Sequence, residues 1–210
     1  TLHNAIIITL LPKIVQNYFF SLHSRLHVTI KMYKIIFIDI EKSFNMCTSI
    51  VFSPKDHYFG RNLDLEITFG QQVVITPRNY DFKFRKMPEL KQHYAMVGIA
   101  LNAGGYPLYF DAANEKGLGM AGLNYPGNAT YYDVKDGKDN VASFEFIPWI
   151  LGQCATVEVA KKLLAKINIA DINFSEKMVA SKLHWLIADK TGTSIVVETD
   201  KDGMHVYDNP

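Results

Sequence analysis

From residue 46 onward, short apolar runs of strand length alternate with clusters of turn-forming residues. Met46–Phe52 and Tyr58–Asp64 are two such runs, separated by the polar turn Ser53-Pro54-Lys55-Asp56-His57, and they predict a β-hairpin. Further strands are expected at 71–76, where Pro77 ends the run, at 94–100 before the turn at Gly104-Gly105-Tyr106-Pro107, and at 118–124. The glycines of that last run point to a close backbone approach by a ligand or a second sheet. A closing meander is predicted at 184–189, 194–198 and 204–207, with turns at Lys190-Thr191-Gly192 and Asp202-Gly203. The charged stretch 81–92 and the polar, Gly-bearing stretch 128–140 read as loops.

The period becomes helical in two places. Residues 143–153 carry Phe144, Ile147, Trp149, Ile150 and Leu151 around much of a helix circumference, so a buried helix is expected, with Pro148 marking a kink or its start. Residues 156–167 are amphipathic. Thr156 suits an N-cap, Val159, Leu163, Leu164 and Ile167 form the apolar stripe, and Lys161, Lys162 and Lys166 form the solvated face. Strands, then helices, then strands predict an α+β domain with two sheets and helices packed outside them.

Residues 1–45 do not share this pattern. Ile6–Leu11 is apolar and is broken by Pro12 and Lys13, and Lys31–Ile40 is basic and then apolar. No Lys or Arg precedes Ile6 and no small-x-small site lies just before Cys47, which argues against a signal peptide. A pro-segment cleaved before Cys47 is one remaining reading. The preferred one is that Met46 is the start, so that 1–46 is an upstream segment, non-native or removed, and 47–210 is the domain.

Composition narrows the function classes. A chain of 210 residues, 48% hydrophobic and with net charge +1, is enough for one soluble domain with a core and gives no reason to expect nucleic acid or an anionic membrane as partner. Its two cysteines, Cys47 and Cys154, make no disulfide framework and fit a reducing compartment, the cytoplasm. No Cys or His spacing suggests a metal, and no apolar run reaches the ~20 residues of a membrane span. Cys154 reads as a buried core residue and His184 as structural.

The candidate chemistry lies at the open end of the first hairpin. Antiparallel pairing sets Cys47 beside Arg61 and Asp64, although 14 and 17 positions separate them in sequence. A thiol is nucleophilic as its thiolate, and a neighbouring guanidinium favours that form. If Met46 is removed, Cys47 carries a free α-amine, a group that ordinarily titrates at about 7.7–8.0 and can serve as general base; Asp64 could hold it. The plainer reading is that Cys47 is a small apolar residue of a strand.

These residues sit in segments that resemble one family. Met-Cys-Thr-Ser-Ile at 46–50, Phe-Gly-Arg-Asn-Leu-Asp at 59–64, Val-Ile-Thr-Pro-Arg-Asn-Tyr at 74–80, Asn-Glu-Lys-Gly-Leu-Gly at 114–119 and Ala-Gly-Leu-Asn-Tyr-Pro at 121–126 are similar to the choloylglycine hydrolases, the bile salt hydrolases and penicillin V acylases. The resemblance implies the αββα sandwich of the N-terminal-nucleophile hydrolases, present only as its N-terminal half. It implies Cys47 as nucleophile, Arg61 and Asp64 beside it, and Asn124 as oxyanion donor; Asn at that position, where penicillin V acylases tend to have Tyr, points to bile salts. The implied reaction is hydrolysis of the amide joining a steroid acid to glycine or taurine, without a cofactor, by a bacterial cytoplasmic enzyme that is a homotetramer when full length. Phe69, Tyr80, Phe82 and Tyr125 could receive the steroid, or be core or surface aromatics. A second catalytic Asn and a further Arg, which the resemblance places beyond a segment similar to Val206-Tyr207-Asp208-Asn209, are absent. An inactive fragment is therefore an alternative reading, beside a penicillin V acylase or other N-acyl amide hydrolase.

Overall fold

The computed structural model describes residues 6–11, 47–64 and 68–210. The run Lys31–Ile40 and Met46 lie outside the described residues. Twelve strands are placed: β1 (Ile6–Leu11), β2 (Thr48–Phe52), β3 (His57–Asn62), β4 (Gln72–Thr76), β5 (Met96–Ala103), β6 (Tyr106–Asn114), β7 (Leu118–Asn124), β8 (Asp139–Ala142), β9 (Ile167–Ala170), β10 (Leu183–Asp189), β11 (Ser194–Asp200) and β12 (Gly203–Asp208). A 3-10 turn at Ser143–Glu145 leads into α1 (Phe146–Gln153), and α2 (Val157–Leu164) follows. The sheets are β1-β3-β2, then β12-β11-β10-β7-β6-β5-β4, then the short parallel pair β8-β9.

Side-chain alternation divides the large sheet into two faces. Leu118 and Met120 of β7, Trp185 and Ile187 of β10, and Ile195 and Val197 of β11 join α1 in one core with Phe146, Ile150 and Leu151. The residues between them, Ala121, Leu123, Leu186 and Ala188, face the small sheet and pack with Phe59 of β3. Gly119 lies on that same face, and a Cβ there would stand 3.0 Å from the Phe59 ring. The close approach expected of the β7 glycines is therefore made at Gly119 by the second sheet, whereas at Gly122 it is made by Leu183 and Trp185 of the neighbouring strand β10. Helices, large sheet and small sheet form three layers of the αββα arrangement.

Several elements differ from the sequence expectation. Strand β6 was not anticipated: Gly104 and Gly105 turn with positive φ of 62° and 92°, and Tyr106 and Pro107 already belong to the next strand, opposite Ala103 and Asn102. Strands β8 and β9 were not anticipated: Asp139 and Asn140 closed the expected loop and Ile167 the expected helix, and each strand is four residues long, too short for a periodic signal. Pro148 is the third residue of α1, where its missing N–H has no helical acceptor to lose, so no kink follows. Thr156 caps α2 through Val159 N–H as expected, but the helix buries Val157, Ala160 and Leu164 and leaves Val159 43% exposed. Val157, Ala160 and Leu164 recur at intervals of three and four and share one helix face, offset from the stripe expected through Val159. Cys154 is buried as expected, and burial pushes its thiol up to about 12.

One buried side chain ties the helix layer to the sheet. Asn114 donates to the carbonyls of Leu151 and Cys154 at 2.7 and 2.8 Å and accepts from Lys116 and Leu118 N–H at 3.0 Å each. Four satisfied hydrogen bonds at one buried amide predict that Asn114→Leu lowers stability by about 3 kcal/mol, read from the urea midpoint.

Nearby, the Glu115 carboxylate accepts from Arg78 Nε at 2.7 Å and Ala95 N–H at 3.0 Å. The Arg78 hydrogen bond, followed by the backbone one, holds it near 2 instead of its ordinary 4.5. Stability from this group is present above 4.5 and is lost as pH falls through 2. Glu115→Gln is expected to lower the urea midpoint at pH 6, with the gap from the parent closing as pH falls toward 3.

Candidate active site

The hairpin forms with Thr48 opposite Asn62 and Phe52 opposite Tyr58. This register leaves Cys47 just outside the first strand, level with the chain leaving the second. Cys47 Sγ lies 3.4 Å from Arg61 Nη2 and 3.9 Å from the main-chain carbonyl of Asp64. The Asp64 contact is thus to its backbone and not to its carboxylate.

Arg61 is 5% exposed and is held from three sides. Its Nη1 donates to Asp111 Oδ2 at 2.9 Å, and its Nη2 donates to the Gly122 carbonyl at 2.8 Å while facing the thiol. Nε is buried without a hydrogen-bond partner among the described residues. Asp111 sits on β6, is 4% exposed and also accepts from Ile99 N–H at 3.3 Å. Burial pushes its carboxyl up, and the Arg61 charge opposes that shift. The pair fixes the guanidinium plane, so the second nitrogen can reach sulfur. Asp111 was not found in the sequence, because the strand that carries it was not recognised.

Asn124, at the exposed end of β7, shares one cavity of about 510 Å³ with Cys47, Arg61 and Asp64. Most of the cavity wall is apolar. Phe69, Leu101, Leu108, Phe144 and Ile147 line it, and the 174–181 segment adds Phe174, Met178 and Val179. That segment is anchored from behind: Tyr131 Oη donates to Ser181 O and Arg85 Nη2 donates to Phe174 O. Neither the segment nor its anchors stood out in the sequence, since it lies between strands and has no motif.

Of the four aromatics singled out above, only Phe69 lines the cavity. Phe82 has no exposed surface and is packed in the helix-side core with Phe84 and His93. Tyr80 packs on Phe82 and donates its hydroxyl to Gly105 O. Tyr125 stacks on His184 at 4.7 Å, and His184 Nδ1 lies 3.4 Å from Glu198 Oε1. His184 therefore has a carboxylate and an aromatic neighbour that its sequence spacing did not suggest.

A second cavity, of about 550 Å³, lies between α2 and β12 and is lined by Lys135, Lys138, Lys161 and Met204 among others. Its lining holds no thiol, and the Asn168 amide there already donates to Asp133 O and Asn140 Oδ1. Among the described residues, no three His, Cys, Asp or Glu are grouped to hold a metal, and no helix is long and apolar enough to cross a membrane.

A sequence model of the linear amide C–N hydrolases, choloylglycine hydrolase family, matches residues 47–210. The chain belongs to this family. It is 50% identical over 165 residues to a bile salt hydrolase/transferase of Lactiplantibacillus plantarum, covering 79% of this chain and 51% of that protein. It is 38% identical over 167 residues to a conjugated bile acid hydrolase of Lactobacillus gasseri, covering 78% and 53%. Among solved structures, a variant of conjugated bile acid hydrolase from Clostridium perfringens superposes with a TM-score of 0.71 at 38% identity, covering 78% of this chain and 51% of that one. Penicillin V acylase from Agrobacterium tumefaciens shares the fold, with a TM-score of 0.62 at 20% identity, covering 78% and 49%. The chain thus spans about half the length of the curated relatives it matches. Within the choloylglycine hydrolase family, the mixed sheets and outer helices are those of the N-terminal-nucleophile hydrolase sandwich.

Removing one member of the buried ion pair leaves the other uncompensated. Arg61→Met is expected to cost about 3–5 kcal/mol in urea unfolding, with Asp111→Asn costing less because it keeps a hydrogen-bond acceptor for Arg61.

Proposed function

We propose that this chain carries the nucleophile half of an amidohydrolase acting on glycine- or taurine-conjugated bile salts. The observation that carries the reading is one apolar cavity holding a thiol, a buried guanidinium and an Asn amide. Its volume falls in the ordinary ligand-pocket range of roughly 300–1,000 Å³. The relatives named above are bile salt and conjugated bile acid hydrolases.

In this mechanism the Cys47 thiolate, with Arg61 Nη2 beside it, attacks the amide carbonyl carbon. The carbonyl oxygen becomes an oxyanion, to which the Asn124 amide donates; one such donor is worth about 3–4 kcal/mol of barrier. The α-amine of Cys47, freed by loss of residue 46, takes the thiol proton and returns it to the nitrogen of glycine or taurine as the C–N bond breaks. Water then cleaves the thioester, releasing the steroid acid and restoring the thiol. Asp64 holds the amine, and Phe69 with the 174–181 wall receives the steroid body. No step calls on a cofactor. The same reading places the full-length protein in the bacterial cytoplasm as a homotetramer, as the family resemblance implies.

The test uses the coding sequence read from Met46 through Pro210 and on to the next stop codon. Intact mass is expected to show loss of Met46, and a glycine-conjugated bile salt is expected to be hydrolysed, with Cys47→Ser reducing the rate at least ~1,000-fold. A folded product that begins at Cys47 and leaves conjugated bile salts intact would overturn the substrate reading, and penicillin V would be the next compound assayed.

A further inference from the structure

The cavity between α2 and β12 shares no lining residue with the one that holds Cys47, and its chemistry is different. Alternation along β12 turns Met204, Val206 and Asp208 toward it, a run of roughly 14 Å at strand rise. Leu164 at the end of α2, with Ile167 and Ile169 of β9, supplies an apolar wall. These three are at most 4% exposed, whereas Val206 on the same cavity is 39% exposed. Its charge is one-sided: Lys135, Lys138 and Lys161 line it with a single carboxylate, Asp208. Lys161 is already paired, 2.6 Å from Asp208 and 3.6 Å from Glu158. Among the described residues Lys135 and Lys138 form no ion pair. Lys135 Nζ lies 4.1 Å from the centroid of the Tyr132 ring, and Lys138 Nζ donates to Ala165 O at 3.1 Å.

A second observation points the same way. Thr199 stands opposite Met204, lines the cavity and is wholly buried, yet its Oγ1 has no hydrogen-bond partner among the described residues. A hydroxyl buried unpaired is costly, and a bound acceptor would satisfy it. Thr199 and Lys135 belong to the same end of the cavity, because Tyr132 donates its hydroxyl to the carbonyl of Asp200, next to Thr199, and carries Lys135 over its ring. The Lys161–Asp208 pair lies at the other end, since Asp208 pairs with Ile195 and Met204 with Thr199. A polar end with unpaired donors and an apolar run leading away from it suit a chain with a charged head. We infer that this cavity binds a small amphiphilic anion, an alkyl-chain carboxylate. Its head accepts from Thr199 Oγ1 and Lys135, with Lys138 adding positive charge, and its chain lies along Met204 and Val206 toward Leu164. The inference does not draw on the proposed reaction.

The test uses the protein of the preceding experiment with isotopically labelled methionine methyl groups. Met204 lines this cavity and Met178 the Cys47 cavity, so one NMR spectrum reports on both, and Met204→Leu and Met178→Leu assign the two signals. Decanoate is expected to shift the Met204 signal saturably, and decanol, the same chain without charge, to bind at least ~10-fold more weakly. Lys135→Glu together with Lys138→Glu should weaken decanoate at least ~10-fold, and the near-isosteric Thr199→Val at least ~5-fold. Lys55→Glu with Lys83→Glu, the same charge change at two exposed lysines elsewhere, should stay within ~2-fold. Thermal unfolding checks that each variant is folded. A Met204 signal that decanoate leaves unmoved, decanol binding as tightly as decanoate, indifference to the lysine or the threonine substitutions, or a Met204 response to cholate where decanoate gives none would overturn the inference. The Met178 signal and bile salt hydrolysis bear on the proposed reaction alone.

Discussion

The buried Arg61 guanidinium is the constraint on which the rest of the site depends. It reaches β6 through Asp111, β7 through the Gly122 carbonyl and the end of the first hairpin through Cys47 Sγ. These contacts cross from the small sheet to the large one, so the sheets cannot slide without breaking an ion pair that water does not reach. Burying two charges costs more than a surface pair would, and the return is fixed geometry: the guanidinium cannot turn away from the thiol while Asp111 holds its other nitrogen. The arrangement works only because the sheets meet closely, which is the part played by Gly119 beneath the Phe59 ring.

That dependence explains what could be read from the sequence. The hairpin, the closing meander and the Thr156 cap rest on local rules of turn and cap chemistry, and local rules are visible in one chain. The proximity of Cys47 and Arg61 follows from hairpin geometry alone, and the structure places the two 3.4 Å apart. Asp111 is different. It lies 50 positions from Arg61, on a strand opened by a Tyr-Pro step that reads as part of a turn. Nothing local marks it as the partner of a buried charge.

The aromatic residues make the same point from the other side. Phe82 and Tyr80 look like pocket aromatics because they stand at and beside an expected loop, but Phe82 folds back into the core and Tyr80 covers it. The cavity wall is taken over instead by Phe144 from the turn before α1 and by Phe174 from the segment between β9 and β10. The Arg85 guanidinium lies over both rings, 5.8 and 5.4 Å from their centroids. This assembly joins residues near 85, 144 and 174, so only the folded chain reveals it. Short polar stretches are where sequence reading fails, since their side chains are placed by tertiary contacts and not by a repeating period.

The two faces of the large sheet play different parts in positioning the site. The helix-side core is closed: Trp185, Phe146, Ile150 and Ile187 have at most trace exposure, and the cavity opens at its end. On the other face, Phe59 of β3 and Val51 of β2 pack against Ala121, Leu123, Leu186 and Ala188. The thiol, the guanidinium and the amide donor stand where the small sheet, the large sheet and the segment before α1 meet around one cavity. Each layer therefore contributes to one site, and the contacts of Arg61 with Asp111, the Gly122 carbonyl and Cys47 set its internal geometry.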